Sequence, residues 1–99
     1  MARDTTLLRP EELEAFLSAH PEWKLEGGML TRTYELPSFL EGIAFVERVA
    51  KEAEAADHHP DIDIRWRKVR LCLVTHDANG LTARDTQLAE AADRALRAS

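Results

Sequence analysis

The stretch Asp61-Ile-Asp-Ile-Arg-Trp-Arg-Lys-Val-Arg-Leu-Cys-Leu-Val-Thr-His76 decides how this chain folds. Ile62, Ile64 and Trp66 alternate with Asp61, Asp63, Arg65 and Arg67, the period-two pattern of a half-exposed strand. Val69, Leu71, Leu73 and Thr75 then alternate with Arg70, Cys72, Val74 and His76, which predicts a second strand with one strongly apolar face. Parity puts His76 at the end of that strand, opposite the Leu71/Leu73 face. An apolar sheet face must be buried against another layer, and the flanking sequence supplies helices to do it.

Upstream, Ser38 followed by Glu41 is a capping box that opens a helix running to about Asp57. Its apolar stripe is Phe39, Ile43, Val46, Ala50 and Ala53, widened by Phe45 and Val49. Downstream, Asn79-Gly80 marks a turn, and Thr82 with Asp85 three residues later caps a last helix with Leu88, Ala91, Ala92, Ala95 and Leu96 inward. Before the central helix, Gly27-Gly28 joins two alternating runs, 22–26 and 29–36, into a hairpin. Pro10 and three glutamates begin a first helix that His20-Pro21 ends. Residues 1–8 carry little pattern and are expected to fray. The order is α-β-β-α-β-β-α, an α+β domain with a four-stranded antiparallel sheet and three helices packed on one face.

Ninety-nine residues suit a single domain spanning 1–99, with a thin core that buries about two-thirds of its unfolded surface. With 13 basic and 18 acidic side chains the net charge is −5, which argues against electrostatic capture of nucleic acid or an anionic membrane. One cysteine, Cys72, cannot form an internal disulfide, and no stretch reads as a signal peptide or a membrane span. The expected compartment is the cytoplasm. Nucleotide-binding glycine motifs and Cys-x-x-Cys pairs are missing, so nothing in the sequence calls for a cofactor.

The histidines carry the chemistry. His58-His59-Pro60 sits where the long helix gives way to a loop, and His76 ends the last strand. Side chains at element ends can reach into a cleft while the scaffold fixes them. Glu54 lies one helical turn before His58, and Asp57, Asp77 and Asp85 are near in sequence. Plainer readings stand beside this one: His20 as an ordinary surface histidine, His58 or His59 as a partner of the helix dipole, Asp85 as no more than a capping acid. Two adjacent histidines do not match helical zinc-ligand spacing, so no metal is expected. Neutral imidazoles beside carboxylates suit proton transfer near neutral pH. From the residues alone, the reading is a small α+β domain with a histidine-rich acid/base cleft.

Glu54-Ala-Ala-Asp-His58-His59-Pro60, then Trp66, His76 and Asp85 at their observed spacings, resembles the signature of the pterin-4a-carbinolamine dehydratases, also known as dimerization cofactors of a homeodomain transcription factor. The likeness extends to Trp23-Lys-Leu-Glu-Gly, Phe45-Val-Glu-Arg-Val49-Ala and the run from Thr75-His76 to Gly80-Leu81-Thr82-Ala-Arg84-Asp85. It implies a hydro-lyase that converts a 4a-hydroxytetrahydropterin to the quinonoid dihydropterin and water, with no metal or redox cofactor. By the same resemblance His58 and His76 act on the departing hydroxyl and His59 chiefly positions the pterin. Glu54 orients a histidine or binds the ring edge, Arg84 and Asp85 complete a polar rim, and Trp66 covers the bicycle or else belongs to the core. Family members form dimers and tetramers, so a homo-oligomer is expected, as the thin core and free sheet edges also suggest. The alternative is a non-catalytic interaction module, of coactivator or assembly-factor type, on the same fold.

Overall fold

Ile62 faces Leu71 and Ile64 faces Val69 across an antiparallel ladder, so the two strands read from residues 61–76 do pair. The computed structural model describes residues 4–98. Its elements are α1 (Pro10–Ala19), β1 (Lys24–Glu26), β2 (Met29–Glu35), α2 (Phe39–Ala56), β3 (Asp61–Arg65), β4 (Lys68–Leu73), a short 3-10 turn (His76–Ala78) and α3 (Ala83–Arg97). The sheet order is β1-β2-β4-β3, antiparallel throughout, and the α+β architecture is the one the sequence predicts.

Leu30, Tyr34, Val69, Leu71 and Leu73 line the covered face of the sheet and are buried with Phe45, Val49 and the alanines of α3. Burying one such large side chain stabilises the fold by about 1.5–3 kcal/mol. The opposite face carries Thr33, Lys68 and Arg70 in solvent.

Three boundaries differ from the sequence reading. β3 stops at Arg65, and Trp66-Arg67 form a two-residue hairpin loop in which Trp66 takes φ +56° and is 70% exposed. β4 stops at Leu73, because Thr75 and Gly80 pair with each other and close the intervening residues into their own loop. His76 therefore opens a 3-10 turn instead of ending a strand. β1 begins only at Lys24, and Trp23 is buried ahead of it.

The inward side of α2 is Gly42, Phe45, Val49 and Ala53. Of the stripe read from the sequence, Ala53 is buried with Phe45 and Val49 and Val46 packs against the core, whereas Phe39 is 47% and its neighbour Leu40 75% exposed. Gly42 lies on this inward side beside the β3–β4 hairpin, where an added Cβ would make an ordinary contact 3.7 Å from Val69 Cγ2.

Asp93 of α3 fastens the far end of the sheet. Its carboxylate accepts hydrogen bonds from Trp23 Nε1 (3.1 Å), Arg32 Nη1 (2.8 Å) and the Tyr34 hydroxyl (2.6 Å). Burial, followed by the hydrogen bond to Asp93 and its negative charge, pushes the Tyr34 phenol well above its ordinary range. His20 closes α1: its ring stacks on Phe16 and its Nδ1 donates to the Phe16 carbonyl (3.1 Å). Two residues of the segment expected to fray are tied down. Leu7 bridges Thr82, and the Leu8 N–H donates to the Leu81 carbonyl (2.9 Å), while residues 1–3 lie outside the described part.

Candidate active site

The end of α2 builds one wall of the site. Asp57 takes the left-handed conformation at φ +49°, and its N–H returns to the Ala53 and Glu54 carbonyls. The His58 N–H also reaches the Ala53 carbonyl (3.1 Å), giving the paired terminal bonds by which a helix stops and the chain reverses. That reversal swings the His58 ring inward. Arg84 Nη2 donates to the Asp57 carbonyl (2.7 Å), tying the first turn of α3 to this bend.

The start of α3 builds the floor. The Asp85 Oδ2 accepts the Thr82 N–H (3.0 Å), and the Thr82 hydroxyl oxygen accepts the Arg84 N–H (3.2 Å), as the capping motif predicts. Asp85 does more than cap. Its Oδ1 lies 2.6 Å from His58 Nε2, and both side chains are almost wholly buried. A carboxylate facing an imidazole nitrogen accepts its proton, so Nε2 carries the hydrogen and Nδ1 is the nitrogen left for other partners.

His59, one residue on, turns the other way. Its Nε2 meets Glu54 Oε1 at 2.7 Å, with both side chains largely in solvent. His76, exposed on its 3-10 turn, lines the same cleft as the pair. His58, His59, Val74, His76 and Asp77 together line a cleft of about 160 Å³. The three expected imidazoles thus share one site, and Glu54 joins it through His59. Larger hollows exist, including one of about 290 Å³ on the open sheet face lined by Thr33, Asp63, Arg65, Lys68 and Arg70. Its arginines already pair with carboxylates, Arg65 with Asp63 and Arg70 with Glu26, and it holds no imidazole.

Three expected contacts fall elsewhere. Asp85 is fully buried beneath His58 and so forms no part of a polar rim. Arg84 braces the bend at Asp57 and lines a neighbouring hollow with Glu52 and Gln87. Trp66 stands beyond the far end of β3, six residues or about 20 Å along the chain from Pro60, too distant to cover a ligand in its own chain's cleft. Thr75 is the residue that sequence reasoning missed. Its hydroxyl donates to Asp85 Oδ2 (2.8 Å). The available signal was a polar side chain at the strand's end, on the otherwise apolar Val69/Leu71/Leu73 face. Among the described residues no group of three or more histidine, cysteine or carboxylate side chains is arranged to hold a metal ion.

Residues 6–95 match the family model described as pterin 4 alpha carbinolamine dehydratase. A protein of Acidobacterium capsulatum whose name provisionally marks it as a pterin-4-alpha-carbinolamine dehydratase is 51% identical over 90% of this chain and 97% of its own length. One of Mycolicibacterium smegmatis with the same provisional name is 49% identical over 91% of this chain and 96% of its own. Among solved structures, a transcriptional coactivator/pterin dehydratase from Brucella melitensis superposes with a TM-score of 0.87 at 27% identity, covering 92% of this chain and 99% of that one. A pterin dehydratase-like protein identified as a RuBisCO assembly factor shares the fold, with a TM-score of 0.67 at 22% identity over 78% of this chain.

Proposed function

Because the chain belongs to the pterin-4-alpha-carbinolamine dehydratase family, we propose that it dehydrates a 4a-hydroxytetrahydropterin to the quinonoid dihydropterin by histidine acid/base catalysis. The observation that carries this reading is the convergence of His58, His59 and His76 on one cleft. In the reaction the C4a–O bond breaks and the hydroxyl leaves as water, taking a proton from an imidazolium. The N5–H proton passes to a base, and the N5 electron pair forms the new C=N bond. Imidazoles serve both steps because they exchange protons near neutral pH.

His58, with its Nε2–H held by Asp85, presents a nitrogen of fixed orientation. His76 supplies a second imidazole to the same cleft, and His59 with Glu54 forms the outer, polar lip against which the pterin ring is positioned. The cleft is below the roughly 300–1,000 Å³ of enclosing ligand pockets, so the bicycle sits in an open notch with its side chain in solvent. This suits an enzyme that accepts pterins differing at that side chain.

The working form is a homo-oligomer. Phe39 and Leu40 on α2, and Ile62 and Ile64 on the edge strand β3, leave apolar surface that a second copy would cover. The same surface favours one rival reading, an interaction module for another protein, which the Brucella protein's description as a transcriptional coactivator makes specific. One assay separates them. Purified protein should accelerate decay of freshly generated 4a-hydroxytetrahydropterin, with the rate surviving chelator treatment. An unchanged spontaneous rate would reject the enzyme reading.

A further inference from the structure

We propose that Thr75 is a positioning residue for His58, acting through Asp85, and that a one-way chain of hydrogen bonds from Thr82 through Thr75 aims the carboxylate that holds the His58 ring. The directions follow from counting donors. A threonine hydroxyl has one proton to give. Thr75 spends its proton on Asp85 Oδ2 (2.8 Å), so in its 2.8 Å contact with Thr82 the Thr82 hydroxyl must donate. The Thr82 oxygen in turn accepts the Arg84 N–H. The sequence is therefore Arg84 N–H to Thr82 Oγ1, Thr82 O–H to Thr75 Oγ1, and Thr75 O–H to Asp85 Oδ2.

Thr75, Thr82 and Asp85 are each at most 1% exposed, so water does not compete for these bonds. Oδ2 is held by two donors, the Thr75 hydroxyl and the Thr82 N–H, which fixes the plane of the carboxylate. Oδ1 is thereby aimed at His58 Nε2 and requires a proton there. The carboxylate that sets the His58 tautomer is thus held from behind the ring, by two hydroxyls that never meet the ligand.

An inversion follows from the same accounting. In Asp85→Asn the amide oxygen must take the Oδ2 position, because both donors point at it. The amide nitrogen then faces His58 and donates, forcing Nε2 to accept and moving the ring proton to Nδ1. Thr75→Val, close in shape, removes one donor to Asp85 and leaves the Thr82 proton without an acceptor. Thr75→Ser keeps both bonds.

The kinetic role rests on the dehydratase reading, but the tautomer does not, so the decisive experiment is nitrogen NMR of ¹⁵N-histidine-labelled protein. The chain has four histidines, and His58 is assigned from the spectrum of His58→Gln. Wild type should show His58 as the Nε2–H form, Asp85→Asn as the Nδ1–H form, and Thr75→Val as an Nε2–H form with shifted, broadened signals that Thr75→Ser returns to the wild-type pattern. In turnover, Thr75→Val should lower kcat by about tenfold with KM little changed, as expected of a misaimed group. A folded Thr75→Val with the wild-type His58 signals, or a folded Asp85→Asn still in the Nε2–H form, overturns the proposal. If neither variant folds, the wild-type spectrum decides: an Nδ1–H form there rejects it. Wild-type protein without dehydratase activity but with the expected signals would reject the enzyme reading and leave the relay standing.

Discussion

His58 and His59 are neighbours in sequence and opposites in environment: one lies buried 2.6 Å from Asp85, the other in solvent 2.7 Å from Glu54. The left-handed residue Asp57 divides them from the helix, and successive side chains beyond it diverge. The two imidazoles should therefore fail differently. His58→Ala is expected to reduce kcat by a hundredfold or more, in the range of about 10²–10⁴ associated with losing a general acid or base. His59→Ala should chiefly raise KM, since its ring forms the solvent-facing lip. Steady-state kinetics on both variants checks this, and equal kcat losses would contradict the assignment.

Tyr34 offers a spectroscopic prediction, because it is the single tyrosine of the chain. Its phenol is pushed upward by burial and by its bond to Asp93. The folded state therefore holds the proton more tightly than the unfolded chain. The stabilisation is complete below the ordinary phenol pKa of about 10 and is lost as pH rises beyond it. Phenolate absorbance should accordingly stay absent past pH 10 and appear together with loss of the far-UV helix signal. A phenolate that forms while helicity is retained would disprove it.

Asp93→Ala should destabilise the protein by about 3 kcal/mol, since it strands three donors, one of them a largely buried guanidinium. Tyr34→Phe removes one donor and should cost nearer 1 kcal/mol. Urea unfolding midpoints measure both, and equal effects would show that Asp93 is no shared anchor.

Gly42→Ala is expected to raise the melting temperature. The contacts a Cβ would make, 3.7 Å to Val69 Cγ2 and 4.0 Å to the hairpin backbone, are ordinary ones. Helix propensity then favours alanine by up to about 1 kcal/mol. A lowered melting temperature would show that α2 has no room to spare there.

Sedimentation should give a mass that is a multiple of the 11.2 kDa chain, and Leu40→Glu, placed on the exposed side of α2, should weaken the association without unfolding the monomer. A single-chain mass for the wild type at micromolar concentration would contradict the homo-oligomer.

Strand pairing and the three helices were legible because alternation and capping are local signals. Thr82 and Asp85 declared the start of α3 in advance, and the imidazoles at element ends did meet. What stayed hidden was geometry between distant segments. Nothing local told that Asp85 would lie under His58, since that contact spans 27 residues and depends on how α3 docks on the bend at Asp57. On α2 the stripe was read too broadly because both of its sides are apolar: Phe45, Val49 and Ala53 are buried, whereas Phe39 stays half in solvent. Trp66 read as a strand residue because its parity is right, whereas the ladder ends one residue earlier and its backbone turns left-handed.

The docking of α3 has a consequence in time. Asp85 meets His58, Asp93 meets Trp23 across a separation of 70 residues, and the Ala95 carbonyl accepts from Arg48. Each bond waits for the element that leaves the ribosome after all the others. A nascent chain that has produced both hairpins and α2 still lacks the floor of the cleft and the fastening of its first tryptophan. Long-range closure of this kind slows folding relative to local pairing. A copy interrupted before α3 should therefore present an uncovered sheet face rather than a partly working cleft.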